Sequence, residues 1–275
     1  MNPVLDVLIP TYHRPAALAV TLTSLIAQSF KNFRLVVSDQ TEEFDVADHG
    51  VVRASLNVLR LQGHLLEVHK HLPPRGMAEQ RQFLLDQVQA PYALFLDDDL
   101  ILEPYTIRNM LAVMNAEKCG FVGSAVIGPS YLSDVRRHEQ AIEFWDGPVL
   151  PEHVRSGTPE WERYRLHNAA NLYHVARRLG LSPEQPRTYK VAWVGGCVLY
   201  QTVLLRSVGG FTFWEELPVQ HCGEDVLAQL RVMSHYGGCG LIPSGVYHQE
   251  LPTTVQDRTV NAPQVLEILP VQRKK

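Results

Sequence analysis

The sequence predicts an α/β fold with a mostly parallel sheet and helices on both faces. Apolar runs that suit strands alternate with segments whose apolar residues recur at helical spacing, as in right-handed strand–helix–strand crossovers. A second observation comes from residues 92–99, where an apolar run passes directly into three acids. Such a run indicates a strand buried on both faces, with polar residues where it leaves the sheet.

Composition limits the class of protein. The 275 residues fit one large domain with a full hydrophobic core, and 45% hydrophobic with 20% charged residues is ordinary for a globular protein. A net charge of −4 gives no support for nucleic-acid binding, which usually needs a basic protein. The four cysteines form no CxxC pair, so we expect reduced, mostly buried thiols and no zinc site.

Targeting signals are not visible in the sequence. The chain passes directly into a strand pattern, without a signal peptide, and no apolar stretch approaches the roughly 20 residues that span a bilayer. We therefore expect a cytoplasmic protein. Its basic end, Arg273, Lys274 and Lys275, suggests at most a weak contact with the inner face of a membrane.

The first elements form a strand–helix–strand unit. Residues 4–9 predict a strand that ends at Pro10, and Pro15 suits the first turn of a helix whose apolar residues form one stripe. Residues 33–38 predict the second strand, which ends in Asp39. A parallel crossover is the expected connection.

The pattern continues to residue 129. The predicted elements are a helix over 51–61, a strand over 65–69, a helix from Met77, a strand over 92–97, a helix from Glu103 and a strand over 121–127. Arg81 lies on the apolar face of its helix. It therefore either extends its charged end to the surface or has an anionic partner in the interior.

Residues 130–190 differ in character, since they are rich in Pro, Arg, His and aromatic residues. We expect an insertion with a helix over about 159–179, which serves either as an acceptor lid or as a surface excursion without a role. The later elements are a strand over 191–200, a helix that follows Gly223 and stops at Gly237, a strand over 241–247 that leads to His248, and an irregular tail over 251–275. A single domain over 1–250 would thus comprise 1–129, the insertion and 191–250.

Three adjacent carboxylates, Asp97, Asp98 and Asp99, follow the central predicted strand. They repel one another, so a counter-charge such as a divalent cation is expected unless they form a solvated acidic turn. In open α/β sheets ligands bind at the carboxyl ends of the strands, which is where these acids stand.

Four sets of residues stand at strand ends or helix starts: Asp39, Asp97 with Asp99, Glu224 with Asp225, and His248. Their order and setting resemble the family-two glycosyltransferases of the GT-A fold. These are inverting enzymes that use nucleotide-diphosphate sugars. The resemblance runs from about Leu5 to His248, except for the insertion. The segments that carry it are 9–15, 36–39, 76–81, 95–99 with Pro104, 195–196, 206–211 and 223–225 with Arg231.

The resemblance implies a donor site in residues 1–129. The donor-binding residues that it implies are Pro10, Thr11, Tyr12, Arg14, Asp39, Arg81, Asp97 and Asp98. Asp39 matches the acid that accepts a hydrogen bond from the base, although a loop-capping role is the alternative. For Arg81, the resemblance favours an anionic partner.

A metal site is also implied. Asp97 and Asp99 match an Asp-x-Asp motif that holds Mn²⁺ or Mg²⁺ against the diphosphate. Asp99 is the expected ligand, Asp97 a ligand or a ribose contact, and Asp98 a spacer that points away. His248 matches a histidine that completes the metal site in related enzymes, but a structural role is equally compatible with the sequence.

The resemblance assigns Asp225 as the catalytic base that takes the proton of the acceptor hydroxyl. Glu224 competes for this role or orients the acceptor, and an acidic first turn that complements the helix dipole is the alternative for both residues. The implied activity is a glycosyltransferase of the hexosyltransferase type, with a UDP sugar favoured as donor and a saccharide, a lipid-linked molecule or another hydroxyl compound as acceptor.

The chain departs from the family after its second strand. Gln40 and Thr41 follow Asp39 where the family commonly has a second acid and Gly-Ser, which leaves the choice among UDP, GDP and dTDP open. The other hypotheses are a sugar-nucleotide-binding protein without catalysis and a sugar-phosphate nucleotidyltransferase. The latter usually opens with a Gly-rich phosphate loop, whereas residues 10–15 contain no glycine.

Overall fold

The computed structural model describes residues 2–268 and has a central sheet of eight strands flanked by helices. The strands are β1 Leu5–Thr11, β2 Phe33–Asp39, β3 Leu65–Lys70, β4 Tyr92–Leu96, β5 Leu100–Leu102, β6 Phe121–Gly123, β7 Arg187–Tyr189, β8 Cys197–Gln201, β9 Gly238–Ile242 and β10 Val246–His248. The helices are α1 Pro15–Ile26, α2 Gly50–Leu61, α3 Met77–Asp86, α4 Thr106–Glu117, α5 Asn171–Arg178, α6 Thr202–Ser207, α7 Glu224–Tyr236 and α8 Ala262–Val265.

The sheet has the order β3-β2-β1-β4-β8-β6-β9-β7, and the predicted α/β class is confirmed. The strands β3, β2, β1 and β4 are parallel to one another. Beyond them the sheet becomes mixed, because β8 runs antiparallel to both β4 and β6, and β7 is antiparallel to β9. A second sheet pairs β5 with β10 in antiparallel fashion.

Both faces of the central strands are buried, which explains why β1, β2 and β4 are largely apolar runs. All seven residues of β1 are buried. Leu5, Val7 and Ile9 pack with residues of α1, α2 and α4, whereas Leu8 belongs to the opposite core with residues of α3 and α7. This division follows from the alternation of side chains along a strand.

The carboxyl ends of the central parallel strands meet at one edge. Thr11 lies opposite Asp39 in the β1–β2 register, and β4 ends at Leu96, directly before the acids. The β5–β10 pair then brings His248 opposite Leu100, and the Gln249 N–H donates to the Asp99 carbonyl at 2.8 Å. Residues far apart in sequence are thereby gathered beside Asp97, Asp98 and Asp99.

Two predicted strands are shorter than the sequence indicated, and a third is divided. The strand predicted over 121–127 ends at Gly123, where a Cβ would lie 2.4 Å from a Val194 methyl group because the chain at 194 closes over it. The strand predicted over 191–200 begins only at Cys197, since Gly196 has a φ of +77° and turns the chain. The strand predicted over 241–247 is two strands, β9 and β10, because residues 243–245 leave the sheet between them.

The insertion and the tail also differ from expectation. The single helix predicted over 159–179 is a 3₁₀ helix, Trp161–His167, followed by α5, because Asn168 is extended and Ala169 has a φ of +53°. The tail is irregular over 251–258 as predicted, but it then forms α8. Within residues 2–268 no helix is long and apolar enough to cross a membrane. Arg273, Lys274 and Lys275 lie outside the described residues.

Candidate active site

A cavity of about 340 Å³ opens at the carboxyl edge of the sheet. Six segments of the chain form its walls: the end of β1 with the loop after it, α3, the acids after β4, the start of α7, β10 and the tail. Its lining residues are Pro10, Thr11, Tyr12, Arg14, Met77, Gln80, Asp97, Asp98, Asp99, Cys222, Gly223, Glu224, Asp225, His248, Leu251, Thr253, Thr254, Val255 and Arg258. The two predicted acid sets therefore face one space.

Asp98 does not point away, contrary to prediction. It is 6% exposed, and its carboxylate accepts a hydrogen bond of 2.7 Å from the Thr11 hydroxyl. Its burial raises its pKa to about 7, against the opposing effects of Thr11 and Arg14. Asp98 thus fixes the acidic turn to the end of β1.

Arg14 connects the acids to the tail. Its guanidinium donates to Asp99 Oδ2 at 2.7 Å and to Asp98 Oδ1 at 3.4 Å, and it also donates to the Pro252 carbonyl. Burial raises the pKa of Asp99, while its interactions with His248 and Arg14 oppose that increase. Arg14 therefore neutralises part of the negative charge that the three carboxylates concentrate here.

His248 lies beside Asp99, with its Nε2 atom 3.5 Å from Asp99 Oδ2. Its other ring nitrogen, Nδ1, accepts a hydrogen bond of 2.6 Å from the Glu250 N–H. Since Nδ1 is the acceptor, the ring proton is on Nε2 and points towards the carboxylate. The ring thus lies beside Asp99, the expected metal ligand, and the expected role of His248 in the metal site stays a prediction.

Arg81 is an interior residue, 6% exposed, and not an arm that reaches the surface. Its Nε donates to Glu224 Oε1 and its Nη2 to Asp97 Oδ1, both at 3.0 Å. Burial alone would lower the pKa of Arg81, but the carboxylates of Asp97, Glu224 and Asp225 raise it, so the guanidinium stays charged. The expected anionic partner exists, but it is a pair of protein acids, and Arg81 does not line the cavity.

The start of α7 separates the roles of its two acids. Glu224 is 6% exposed and its carboxylate is bonded to Arg81. The half-buried carboxylate of Asp225 accepts only its neighbour's N–H, from Val226 at 2.9 Å, among the hydrogen bonds of residues 2–268. Burial raises the pKa of Asp225 to about 7, with help from Glu224 and against the effect of Arg81. Asp225 is therefore the acid with free acceptor capacity at the cavity wall.

Asp39 does not reach the cavity. It is fully buried, and its carboxylate accepts from the Thr41 N–H at 2.8 Å, the Val46 N–H at 3.0 Å and the Lys70 ammonium at 3.2 Å. Both oxygens are thus engaged in holding the loop after β2. The arrangement matches the loop-capping alternative, and the expected contact with a base stays a prediction.

The residues of the tail were not identified from the sequence. Thr253, Thr254 and Arg258 line the cavity, although the segment 251–258 has no regular structure. Its ends are held, because Arg14 binds the Pro252 carbonyl and the Cys222 N–H donates to the Val260 carbonyl at 2.9 Å. A segment interrupted by proline and without periodic apolar residues gives no local signal for such contacts. This wall of the cavity is therefore recognised only from the tertiary structure.

The acids after β4 offer few protein ligands to a divalent cation. Within residues 2–268, no group of three His, Cys, Asp or Glu side chains is arranged to hold a metal ion by itself. Mg²⁺, however, is commonly held by one or two carboxylates together with phosphate oxygens and water, and Mn²⁺ favours the same oxygen ligands. Asp97, whose side chain is 38% exposed, and Asp99 fit that sparse protein ligand set.

Comparison with known proteins gives a consistent result. No curated protein matches the chain in sequence. TarS 1-349 of S. aureus in complex with UDP-GlcNAc is a similar solved structure, with a TM-score of 0.56 and 18% identity over 91% of this chain and 60% of that chain. The mannosyltransferase PcManGT from Pyrobaculum calidifontis, in complex with GDP-Man and Mn²⁺, gives a TM-score of 0.56 and 15% identity over 93% of this chain and 59% of that chain.

At these identities the likeness shows a shared fold, and this chain spans about 60% of the length of those proteins. Sequence evidence is stronger at the family level. The model described as "Glycosyl transferase family 2" matches residues 6–176, which is more than half of the chain and includes both the loop after β1 and the acids after β4. The chain belongs to glycosyl transferase family 2.

Proposed function

We propose that this chain transfers a sugar, with inversion, from a nucleotide-diphosphate sugar to an acceptor hydroxyl. A UDP sugar is the favoured donor, and a saccharide or lipid-linked acceptor fits the proposal. The proposal depends most on the observation that Asp225 and the acids Asp97 and Asp99 line one cavity. A general base and a place for the leaving diphosphate are then close enough to act on one donor.

Asp225 is proposed as the general base. Its carboxylate is half-buried, faces the cavity and has a pKa raised to about 7. A base works best with a pKa near the operating pH, because it is then ionised and still accepts a proton readily. The carboxylate takes the proton of the acceptor hydroxyl while that oxygen attacks the anomeric carbon, and the diphosphate leaves from the opposite side.

Glu224 and Arg81 are proposed as a support for the base. Arg81 binds Glu224 and Asp97 at 3.0 Å each, so one guanidinium links the two acid sets. Glu224 is thereby occupied, which favours Asp225 over its neighbour as the base. Residues 191–250 then act as the catalytic half, residues 1–129 as the donor half, and residues 130–190 as the insertion proposed to cover the acceptor.

Asp99 and Asp97 would hold Mn²⁺ or Mg²⁺ together with oxygens of the donor. When bound, the cation would stabilise the negative charge of the diphosphate. The protein contributes a placement of the two carboxylates that is fixed by Thr11, Arg14 and Arg81. His248, whose Nε2 lies 3.5 Å from Asp99 Oδ2, orients Asp99 in this proposal.

The test is the Asp225→Asn variant, which keeps the size of the side chain and removes its basicity. With UDP-GlcNAc or GDP-Man, Mn²⁺ and a panel of saccharide acceptors, the release of nucleoside diphosphate should fall by roughly 10²–10⁴-fold. Calorimetric affinity for the nucleoside diphosphate should be unchanged. Asp48→Asn is the control, since the Asp48 side chain is 76% exposed and pairs only with Arg53 among the described residues.

Equal turnover in Asp225→Asn and in the native chain would refute the assignment of the base. A native chain that binds the donor but neither transfers nor hydrolyses it would instead support a sugar-nucleotide-binding protein without catalysis. These two outcomes are separated by measuring binding and product release on the same samples.

A further inference from the structure

Gln229 lies one helical turn after Asp225 in α7, and its side chain is fully buried. Its Oε1 atom accepts a hydrogen bond from the Val194 N–H at 2.8 Å. Its Nε2 atom donates to the Val194 carbonyl at 2.8 Å and to the Asp225 carbonyl at 3.1 Å. One side-chain amide therefore binds the main chain of two segments that are far apart in sequence.

Val194 depends on this amide. The residue is fully buried, and β8 begins only at Cys197, so the sheet does not pair with its main chain. Among residues 2–268, the N–H and the carbonyl of Val194 bond to Gln229 and to no other group. Buried main-chain groups are nearly always paired. The segment before β8 is thus attached to α7 through Gln229.

The same segment reaches the acids after β4. Gly196, two residues after Val194, has a φ of +77°, and its carbonyl accepts from the Asp97 N–H at 2.9 Å. A Cβ at Gly196 would lie 3.4 Å from Asp97 Oδ2, so the chain here runs directly beside that carboxylate. The Val194 side chain is itself closely packed, because it lies against Gly123 of β6. Gln229 is therefore connected to Asp225 directly and to Asp97 through residues 194–196.

We infer that Gln229 is a positioning residue for the transfer reaction and sets the placement of Asp225 relative to Asp97. This inference rests on the proposed function. A base must lie within hydrogen-bond reach of the acceptor hydroxyl while the diphosphate stays in its own place, and a displacement of about 1 Å can lower the rate about 10²-fold. Gln229 is not among the described residues that line the cavity, so it acts through the residues it binds.

Arg81 joins the same two sets of acids, but in a different way. Its guanidinium binds the carboxylates of Asp97 and Glu224, so its removal would change both the geometry and the charge of the site. Gln229 is neutral and binds only main-chain groups. A substitution of Gln229 therefore changes the placement of the acids and leaves the number of charges the same.

The experiment compares Gln229→Met with the native chain, because methionine has a similar length and forms none of the three hydrogen bonds. With UDP-GlcNAc or GDP-Man, Mn²⁺ and a panel of saccharide acceptors, kcat for the release of nucleoside diphosphate should fall about 10²-fold. The calorimetric affinity for UDP or GDP with Mn²⁺ should be unchanged, since Thr11, Arg14 and Arg81 still hold the acids after β4.

Gln28→Met is the matched control. Gln28 is also fully buried, and its amide also makes three bonds to the main chain: to the Ser24 carbonyl at 3.1 Å, the Glu103 carbonyl at 3.0 Å and the Ile107 N–H at 3.2 Å. None of these partners belongs to the two acid sets. Both variants should have lower melting temperatures, because each leaves buried main-chain groups unpaired. Only Gln229→Met should have a lower kcat.

Gln229→Glu is a second, milder variant. A fully buried glutamic acid is protonated near neutral pH, so this side chain keeps one donor and one acceptor. Its kcat should lie between those of the native chain and Gln229→Met. If Gln229→Met does not fold, the comparison of Gln229→Glu with Gln28→Met decides the question in the same way.

A native kcat in the Gln229 variants, or an equal loss of kcat in Gln28→Met, would overturn the inference and leave the proposed function intact. A loss of nucleoside diphosphate affinity as large as the loss of kcat would also overturn it, because the donor site itself would then have collapsed. A native chain that releases nucleoside diphosphate from no combination of donor and acceptor would refute the proposed function, and this inference with it.

Discussion

At the scale of single residues, the site is a set of charges that neutralise one another. Arg81 binds Asp97 and Glu224, whereas Arg14 binds Asp98 and Asp99. Asp225 is left with a raised pKa and free acceptor capacity at the cavity wall. The two arginines therefore both hold the acids in place and decide which acid remains reactive.

The raised pKa of Asp225 predicts a pH dependence. Since the base must be ionised, kcat/KM should rise with pH up to about 7 and then level off. Stability should change in the opposite direction. The folded-state pKa lies above the unfolded value of 3.8, so protonation favours the folded state below about pH 4, and this contribution is lost as the pH rises through about 7.

Asp225→Asn should therefore have a higher melting temperature than the native chain at pH 8. The increase should be roughly 2–4 °C for each kcal/mol by which the free energy of unfolding rises, and the difference should be smaller at pH 5. Differential scanning calorimetry at the two pH values checks the sign. A difference that is the same at both values would contradict the raised pKa. Asp48→Asn, at an exposed position, should show no such change with pH.

Arg81 should be important for stability. Arg81→Met leaves the 7%-exposed Glu224 carboxylate without its cation, and loss of one partner of a buried pair costs about 3–5 kcal/mol. Urea denaturation measures the loss, and adding Glu224→Gln should restore part of it. Arg53→Met is the matched control, because the Arg53–Asp48 pair is exposed and should contribute less than about 1 kcal/mol.

At the scale of elements, the start of α7 and the tail depend on each other. The Cys222 N–H donates to the Val260 carbonyl, and the Ala262 N–H donates back to the Cys222 carbonyl at 2.8 Å. Gly223, between Cys222 and the acids, has a φ of +76° and lies against Asn261. The helix that presents Asp225 is thus held in register with the segment that covers the cavity.

Gly223→Ala should disturb both elements. A Cβ would lie 2.2 Å from Asn261 Oδ1, in addition to the strain of about 1–2 kcal/mol that a left-handed conformation imposes on alanine. Gly63→Ala provides the control, since Gly63 has a φ of +90° but nothing within 4 Å of the added atom. Calorimetry should show a larger loss of melting temperature for Gly223→Ala, and only that variant should weaken donor binding. Equal losses would mean that the contact with Asn261 is unimportant.

At the scale of the whole molecule, the cavity is formed by segments spread over the chain. Its walls come from residues 10–14, 77–80, 97–99, 222–225, 248 and 251–258, which meet only when the sheet, α3, α7 and the tail are all in place. The unfolded chain cannot reproduce such a site. Ligand binding and folding of this molecule are therefore coupled by mass action.

Donor and metal together should stabilise the fold. UDP-GlcNAc or GDP-Man with Mn²⁺, at a free concentration about 100 times the Kd, should raise the free energy of unfolding by about 2.7 kcal/mol. This corresponds to a rise of roughly 5–10 °C in melting temperature. Thermal unfolding with and without Mn²⁺ measures it. Asp99→Ala should remove the metal-dependent part of the rise, whereas Asp48→Asn should retain it. A rise of the same size without metal would contradict the proposed role of the acids.

The sequence by itself determined most of the helices and strands before Asp97 and the position of most of the candidate acids. Periodic apolar residues specify α1, α2 and α3, and continuous apolar runs specify β1, β2 and β4, because local spacing decides which face is buried. Acids that follow parallel strands must meet at one edge of the sheet. Thus Asp97, Asp98, Asp99 and the start of α7 could be found from the sequence alone.

Only the tertiary structure decided what these side chains contact. Arg81 and Glu224 are 143 residues apart, and Arg14 lies 238 residues from the carbonyl of Pro252 that it binds. The proton position of His248, the engaged oxygens of Asp39 and the unpaired amide of Gln40 likewise depend on neighbours from other elements. Local patterns encode burial and periodicity, but a hydrogen bond between distant segments is fixed only when packing brings donor and acceptor within about 3 Å.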